Sequence, residues 1–437
     1  MLQRRETKPR LLQAITDIFA LPDLRTKVLF TLGALVVFRF LAHIPLPGVD
    51  PEAMSRLFEQ NQLFGMMNLF SGGAMENFSV AAQGVYPYIT ASIIMQLMVP
   101  VIPGLQNIAR QGEAGQRKIN RITHLLTVPL AIFQGYGMFT ILRSQGVIGS
   151  LDPIVIVTIV LSMTAGTMFL VWLGEMITER GVGNGISIII FAGIVAAFPS
   201  MIGQGFLAAG DPLGLTLFLV IAAATLVFIV VFIEAHRRIP IQYARSTFRG
   251  GRMYRQSGST HVPLRINTAG MIPLIFAIAV MMVPGTIASY FANPATPNFA
   301  DSIVHVFSSS APLPLGLVWW GLYFLLVMGF TYFYTVVIFE QMNLPDTLQK
   351  QGGFIPGVRP GKTTGVYLKR VMNRITFAGA LFLGLVAVVP FLAREITGVT
   401  VLALSSTALL IAVGVALDTM KQMEAQLTMR RYEGFLK

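Results

Sequence analysis

Long stretches of this chain contain no Asp, Glu, Lys or Arg, and together they make up more than half of its 437 residues. A further stretch, 28–43, is interrupted only by Arg39. Because about 20 consecutive apolar residues cross a bilayer as a helix, the pattern predicts an all-α membrane protein with ten spans. A composition with 54% hydrophobic and 12% charged residues excludes a soluble multidomain protein. The uninterrupted stretches are 78–109, 122–142, 153–174, 181–210, 212–233, 266–300, 302–339, 375–393 and 396–417.

The basic residues predict the orientation of these spans. Lys and Arg accumulate on the cytoplasmic side of membrane proteins. The first span has no small-residue cleavage pattern behind it, so we expect it to be retained. Both termini are therefore predicted to be cytoplasmic. Of the 32 Lys and Arg residues, 28 fall in six segments, which are 1–27, 104–122, 175–182, 236–265, 340–374 and 418–437.

A short motif occurs twice and predicts an internal repeat. Residues 84–91 and 270–277 share the pattern G-x-x-P-x-I-x-A, and each copy opens a long apolar stretch. With ten spans the copies run in opposite directions, which predicts two inverted five-helix halves, 28–205 and 206–417, flanked by cytoplasmic segments 1–27 and 418–437. Pro- and Gly-interrupted segments in matching positions of two halves indicate a transport path.

Two loops, 236–265 and 340–374, are long and basic within a chain of net charge +12. Membrane orientation and attraction to anionic lipid explain most of this charge. The alternative, which the length of the loops favours, is a docking surface for an acidic or phosphate-rich partner such as ribosomal RNA.

The connection between the first two spans, 44–83, contains an apolar run, Leu63–Phe70, that is too short to cross a bilayer. Non-helical backbone at membrane depth must be surrounded by protein or by a watery cavity. One alternative is that the connection folds back into the molecule. The other is a surface loop whose Phe and Met side chains rest on the membrane interface.

The sequence offers no catalytic group, metal site or cofactor site. All twenty carboxylates lie outside or at the ends of the spans, whereas ion-coupled transporters generally need ionisable groups within the bilayer. Five scattered His residues lack spaced partners for a metal, and the glycines near 181–185 and 361–363 lack the pattern of a nucleotide site. Arg39 and His124, at opposite ends of their spans, are predicted to be structural.

Aliphatic residues recur one helical turn apart. Val85 and Ile89 share a helix face, as do Ile186 and Ile190. Ordinary helix packing explains each of them singly. However, Ile89 and Ile275 hold the same position in the two motif copies, which favours a hydrophobic constriction that excludes ions by dewetting.

Longer motifs resemble the SecY and Sec61-alpha family, the channel-forming subunits of the Sec protein translocon, from one end of the chain to the other. They lie at 87–97, 172–187, 239–244, 263–270 and 349–361. The resemblance implies an hourglass pore between the two halves, a plug helix at about 57–75, and a lateral gate between spans two and seven. It also implies the small subunits SecE and SecG, the motor ATPase SecA and the ribosome as partners.

The resemblance also assigns residues to these parts. It places the pore ring on Val85, Ile89, Ile186, Ile190, Ile275 and Ile411. It places the plug on Phe64, Met67, Leu69, Phe70 and Gly72. The gate falls on Thr90, Gln96, Asn267 and Pro273, and the docking surface on Arg255, Arg359 and Lys362.

The sequence therefore predicts a protein-conducting channel of the bacterial cytoplasmic membrane that passes unfolded polypeptides bearing a signal sequence and releases apolar segments into lipid. We expect no bond chemistry, no cofactor and no DNA partner. A secondary transporter for a small solute and a lipid scramblase or insertase-like factor are the alternatives. The missing intramembrane carboxylates and the long basic loops disfavour the transporter.

Overall fold

The structure is a computed structural model that describes most of the chain between residues 21 and 434. The described residues are 21–49, 53–54, 68, 71–144, 146–149, 151–208, 212–249, 252–270, 272–289, 291, 298–307, 315–342, 344–397 and 403–434. The amino-terminal half contains the helices α1 (Pro22–Leu41), α2 (Tyr86–Val101), α3 (Pro103–Ala109), α4 (Glu113–Ser144), α5 (Pro153–Arg180) and α6 (Gly185–Ala208). The remaining elements are α7 (Pro212–Glu234), β1 (His236–Arg249), β2 (Arg252–Arg265), α8 (Ile272–Ser289), α9 (Phe299–Val306), α10 (Leu315–Met342), α11 (Leu344–Lys350), β3 (Gly353–Phe354), α12 (Lys362–Thr397) and α13 (Ala403–Gly434).

Several of these helices are long and apolar enough to cross a membrane. Among the described residues there are four, at Glu113–Arg143, Pro153–Arg180, Leu315–Lys350 and Lys362–Val389, and a fifth if α2 and α3 form one broken span. Shorter apolar helices lie at Gly185–Pro199, Ala223–Glu234 and Ile272–Gly285. The chain thus has several membrane-spanning helices, and the full set of ten stays a prediction.

The charge-free stretch 78–109 does not form one straight helix. The axis turns by 101° between α2 and α3. The break lies at Ile102, which has extended backbone (φ −94°, ψ 113°) and precedes Pro103. Proline disfavours helical backbone in the residue before it, and it tolerates the first position of a new helix because its missing N–H is not needed there. The sequence Ile102-Pro103 therefore ends α2 and starts α3.

The described chain packs into two compact units, which do not follow the two sequence halves. The first unit comprises Met1–Gln204, Gly285–Ser310 and Ile411–Lys437, and the second comprises Gly205–Pro284 and Ala311–Leu410. Each unit has its own buried apolar cluster.

In the first unit, the described part of the connection between α1 and α2 folds back into the protein. Leu46 and Phe78 are buried in one cluster with Leu142 of α4 and Ile159 of α5. The Leu46 N–H donates a hydrogen bond to the Phe78 carbonyl at 2.9 Å. The described residues of the connection 44–83 therefore fold back into the molecule and do not form a surface loop at the membrane interface.

The connection and α5 approach each other closely at Gly166. A Cβ built on Gly166 would lie 2.1 Å from the Val80 carbonyl oxygen and 2.8 Å from its carbon. Both are backbone atoms, which cannot rotate away as a flexible side chain does. Only glycine therefore fits at this position of α5.

We expect Gly166→Ala to lower the stability of the folded protein by about 2 kcal/mol, because the backbone must shift to relieve the overlap. The matched control is Gly33→Ala in α1, where an added Cβ has nothing within 4 Å. Removing a helical glycine there should raise stability by about 0.5–1 kcal/mol. Denaturant unfolding of both purified variants in the same detergent checks this, and equal stabilities would contradict the close approach.

In the second unit, the two basic loops form a small sheet, so the prediction of an all-α fold was too narrow. The strand order is β2-β1-β3, with β1 antiparallel to both neighbours. Ile239 and Ile241 of β1 are buried, and they pack with Leu348 of α11 and Leu368 of α12. These isoleucines alternate with the exposed Arg238 and Pro240, which is the two-residue period of a strand with one buried face. The rest of the described structure is mostly helical, as predicted.

Candidate pore, gate and docking sites

The residues predicted to form the pore ring are buried or half-buried in the protein. Val85 and Ile411 are each 1% exposed, Ile190 is 3% exposed and Ile89 is 7% exposed, while Ile186 and Ile275 are half-buried. Four of the six side chains are therefore not on a lipid-facing surface. Ile275 belongs to the second unit and the other five belong to the first.

Helix packing accounts for part of the burial of Ile186. A Cβ built on Gly174 of α5 would lie 2.8 Å from Ile186 Cγ1, so this side chain packs directly against α5. Ile190, one turn further along α6, is more deeply buried. Ordinary helix packing, the alternative to a role in the constriction, therefore explains part of the burial of Ile186.

The same face of α6 contacts the described end of the predicted plug. Ile186, Ile190 and Gly193 lie four and three residues apart, and such residues share a helix face. A Cβ built on Gly72 would lie 2.9 Å from Gly193 Cα and 2.8 Å from Phe38 Cζ of α1. Gly72 has φ +70°, a conformation that favours glycine. The residue thus fits closely between α1 and α6.

Most of the predicted plug lies outside the described residues, including Phe64, Met67, Leu69 and Phe70. At its described end, Arg39 Nη1 donates a hydrogen bond to the Gly72 carbonyl oxygen at 2.5 Å. The sequence predicted only a structural role for Arg39 at the outer end of its span and gave no partner. The two residues are 33 positions apart, so no local signal could have paired them.

Three of the four predicted gate residues, Thr90, Gln96 and Asn267, carry polar side chains that are buried or half-buried. Thr90 of α2 donates to the Tyr86 carbonyl and accepts from Gln134 Nε2 of α4 at 3.4 Å. Gln96 Nε2 donates to Ser92 Oγ, and Asn267 Nδ2 donates to the Gly270 carbonyl. Within the described chain, the buried oxygens Gln96 Oε1 and Asn267 Oδ1 have no hydrogen-bond partner.

Two of the four gate residues, Pro273 and Asn267, differ in their placement. Pro273 is buried in the first turn of α8. Asn267 lies before α8, in the segment that links β2 to it, and not in the span itself.

Two polar contacts that the sequence did not predict connect the helices of the first unit. The buried Gln83 donates to the Ala131 carbonyl of α4 at 3.1 Å and accepts from Thr167 Oγ1 of α5 at 3.3 Å. His124 Nε2 of α4 lies 2.7 Å from Glu175 Oε1 of α5. Both contacts hold α4 against α5. No group of three or more His, Asp or Glu in the described ranges could hold a metal ion.

The predicted docking residues lie on or beside the sheet of the second unit. Arg359 is exposed, in the turn that joins β3 to α12. The buried Thr364 donates its hydroxyl to the Arg359 carbonyl at 3.0 Å. Gly357 and Gly361 have φ values of +82° and +100°. The Thr364 N–H also donates to the Gly361 carbonyl at 3.0 Å, so hydrogen bonds hold this turn while the exposed Arg359 side chain projects from it.

The other two docking residues are placed differently. Lys362 is exposed at the first position of α12. Arg255 lies in β2 opposite Ser246 of β1, and its side chain is outside the described set.

Comparison with known proteins identifies the family. The SecY family model matches residues 79–420, which is most of the chain. The chain belongs to the SecY family. A protein translocase subunit SecY from Thermotoga maritima is 42% identical over 97% of this chain and 98% of its own length. One from Streptomyces lividans is 44% identical over 98% of this chain and its full length.

Solved structures of related channels have the same fold as this chain. A structure described as a protein conducting channel has a TM-score of 0.65 at 16% identity and covers 92% of each chain. A SecY structure, described as one whose plug domain stabilises the closed state, gives 0.63 at 15% identity over 92% of each chain. Canine Sec61 from a ribosome-channel complex of the endoplasmic reticulum has a TM-score of 0.63 at 16% identity, again over 92% of each chain. The SecY-family fold thus extends over nearly the whole chain.

Proposed function

We infer that this chain is the channel subunit of a protein translocase, that it passes unfolded secretory polypeptides across a membrane, and that it is not an enzyme. The match of residues 79–420 to the SecY family carries this conclusion. The apolar helices support a multi-pass membrane protein. Release of apolar segments sideways into lipid is the second part of the proposed activity.

The proposed constriction consists of Val85, Ile89, Ile186, Ile190, Ile275 and Ile411. Aliphatic side chains at a narrow point exclude ions because water is unstable there, yet they can separate around a sliding chain. The burial of four of the six supports this assignment, since lipid-facing residues would be exposed in the isolated protein. Val85 is smaller than isoleucine, which loosens the seal slightly and keeps it apolar.

The proposed plug spans about 57–75 and includes Phe64, Met67, Leu69, Phe70 and Gly72. Its support is the close contact of Gly72 with Gly193, on the α6 face that also carries Ile186 and Ile190. The carboxyl-terminal end of the proposed plug therefore lies against the α6 face that carries two of the proposed ring residues. In the resting channel the plug blocks the path from the non-cytoplasmic side.

The proposed lateral gate lies between α2 and α8 and uses Thr90, Gln96, Asn267 and Pro273. Support comes from the buried oxygens of Gln96 and Asn267, which lack partners among the described residues. An unpaired buried acceptor costs about 1–3 kcal/mol, so each oxygen weakens the packing around it. Helices that must separate during every insertion event benefit from such weak packing.

The docking surface for the motor and the ribosome comprises Arg255, Arg359 and Lys362 on the two basic loops. Exposed arginine and lysine are suited to bind acidic protein surfaces and phosphate. The rigid turn around Arg359 supports this assignment, because a side chain on a fixed backbone loses less freedom on binding. The proposed partners are the SecA motor, the ribosome and the small subunits SecE and SecG.

The proposed topology has ten spans in two inverted halves, 28–205 and 206–417, with both termini in the cytoplasm of a bacterial cell. The positions of 28 of the 32 basic residues support this orientation. The paired motifs at 84–91 and 270–277 support the inverted repeat.

The test of this function is transport by the purified chain, reconstituted into lipid vesicles with the small subunits and the motor. An unfolded polypeptide with a signal sequence should become protected from added protease when ATP is present. A substrate carrying a strongly apolar segment should be recovered in the bilayer. Small-solute uptake without polypeptide protection would favour a secondary transporter, and lipid flipping alone would favour a scramblase.

A further inference from the structure

A narrow groove lies between α10 and α12 of the second unit. Its volume is about 80 Å³, which is room for two or three water-sized groups. Each helix contributes residues three or four positions apart, which share one helix face. The lining includes Thr335, Val336 and Phe339 of α10 and Lys369, Met372 and Thr376 of α12. Apolar walls with a few polar groups are typical of sites for small ligands.

The groove crosses the level at which charged residues give way to charge-free helix. Lys369 precedes Arg374, the last charged residue ahead of the charge-free stretch 375–393, whereas Thr376 lies inside that stretch. The α10 wall belongs to the charge-free stretch 302–339. In a spanning helix, this change marks the boundary between lipid headgroups and hydrocarbon. One end of the groove therefore suits a charged headgroup, and the other suits an acyl chain.

Two buried hydroxyl groups in the groove have no hydrogen-bond partner within the part of the chain that the structure describes. Thr335 is 5% exposed and Thr376 is 3% exposed, and both line the groove. Thr331, one turn before Thr335, donates its hydroxyl to the Val327 carbonyl at 2.6 Å, but Thr335 and Thr376 make no such bond. A buried polar group without a hydrogen bond is unfavourable. Both hydroxyls are free to donate to a phosphate or ester oxygen of a ligand.

The charge beside the groove is positive. Lys369 is exposed, as are Arg370 and Arg374 on the same helix. None of the three forms an ion pair with another described residue. The adjoining turn of α10 carries one acidic residue, Glu340, so the basic residues outnumber it. Lysine binds phosphate as a point charge, and basic residues at the membrane surface attract anionic lipid.

We propose that the groove between α10 and α12 binds one anionic phospholipid. Its phosphate lies at Lys369, its ester oxygens accept from Thr335 and Thr376, and the start of an acyl chain packs against Val336 and Met372. A lipid at this position fills the space that the two helices leave between them and satisfies both hydroxyls. The inference does not depend on polypeptide transport.

Native mass spectrometry of the full chain in detergent tests this proposal, because it resolves each bound lipid by its mass. The chain is titrated with phosphatidylglycerol, with phosphatidylcholine of the same acyl chains, or with inorganic phosphate. Phosphatidylglycerol should bind at one site at least about fivefold more tightly than phosphatidylcholine, which is the factor expected for one basic residue near an anionic lipid. Inorganic phosphate, which lacks acyl chains, should leave no adduct. Equal binding of the two lipids, retention of inorganic phosphate alone, or a second copy of the chain in place of the lipid would overturn the proposal.

A pair of lysine variants tests the charge. Lys369→Gln should weaken the binding of phosphatidylglycerol by about fivefold and should bring its affinity close to that of phosphatidylcholine. The control Lys350→Gln removes another exposed lysine, at the end of α11 and away from the groove, and should leave binding unchanged. Equal losses in the two variants would indicate a diffuse charge effect and would overturn the site.

A double variant separates a ligand site from ordinary helix packing. Thr335→Val with Thr376→Val replaces each hydroxyl by a methyl group of similar shape and should weaken phosphatidylglycerol binding by about fivefold or more. In lipid-free detergent it should resist denaturant as well as the original chain, because no hydrogen bond within the protein is lost. Thr331→Val, which loses the bond to Val327, should instead unfold more easily and keep its lipid affinity. Unchanged lipid binding in the double variant would remove the hydroxyls from the site.

Discussion

Replacing Ile89 and Ile275 together with Ser is expected to raise the resting ion conductance of the reconstituted channel by about tenfold or more. Burying an isoleucine side chain is favourable by about 1.5–3 kcal/mol, and each 1.4 kcal/mol taken from a barrier is about tenfold in rate. A hydroxyl at each position gives water a partner in the constriction and weakens the dewetting that holds back ions. Conductance across planar bilayers measures this directly.

The control uses the same chemistry on exposed positions. Ile132 of α4 is 40% exposed and Ile287 of α8 is 50% exposed, so serine at these positions should leave the conductance unchanged. If the ring variant conducts no more than this control while it still exports protein, the assignment of Ile89 and Ile275 to the constriction is wrong.

The variant Arg359→Glu is expected to reduce motor-driven export by about tenfold or more while the channel stays folded. Reversing a charge that contacts an acidic partner replaces attraction with repulsion, and loss of such a pair typically costs about 2–5 kcal/mol. Arg359 is exposed and its turn is held through its backbone by Thr364, so the substitution should barely change stability. Initial rates of ATP-dependent polypeptide protection measure the effect.

Two variants show whether the position or the charge alone matters. Arg359→Lys keeps the charge and should retain part of the rate. Lys350→Glu makes the same kind of change at another exposed residue, at the end of α11, and should have a much smaller effect. Equal losses in Arg359→Glu and Lys350→Glu would indicate a diffuse charge effect and remove Arg359 from the docking site.

Features set by the local sequence were the ones that could be predicted. Charge-free stretches predicted long apolar helices, and α4, α5, α10 and α12 include such helices. The bend at Ile102 and Pro103 is also local, but it was not predicted, because Pro129 and Pro284 lie inside helices and a proline alone does not mark a break. The four-residue spacing of Ile186 and Ile190 defined a helix face, although it could not reveal that Gly193 extends this face to meet Gly72.

Features that depend on distant residues could not be predicted. The hydrogen bond of Arg39 to Gly72 and the contact of His124 with Glu175 join separate elements. The sheet was missed for another reason. Ile239 and Ile241 alternate with Arg238 and Pro240, as in a strand with one buried face, but the proline at 240 argues against a central strand.

The central claim is that a translocating chain passes through an aliphatic constriction. The most direct measurement is disulfide crosslinking of a stalled secretory polypeptide, with one cysteine in its hydrophilic part, to single-cysteine variants of this cysteine-free chain. The same substrate position should crosslink to Ile89→Cys and to Ile275→Cys but not to Ile132→Cys, which replaces an exposed residue of α4. Crosslinks to Ile132→Cys alone would contradict the account.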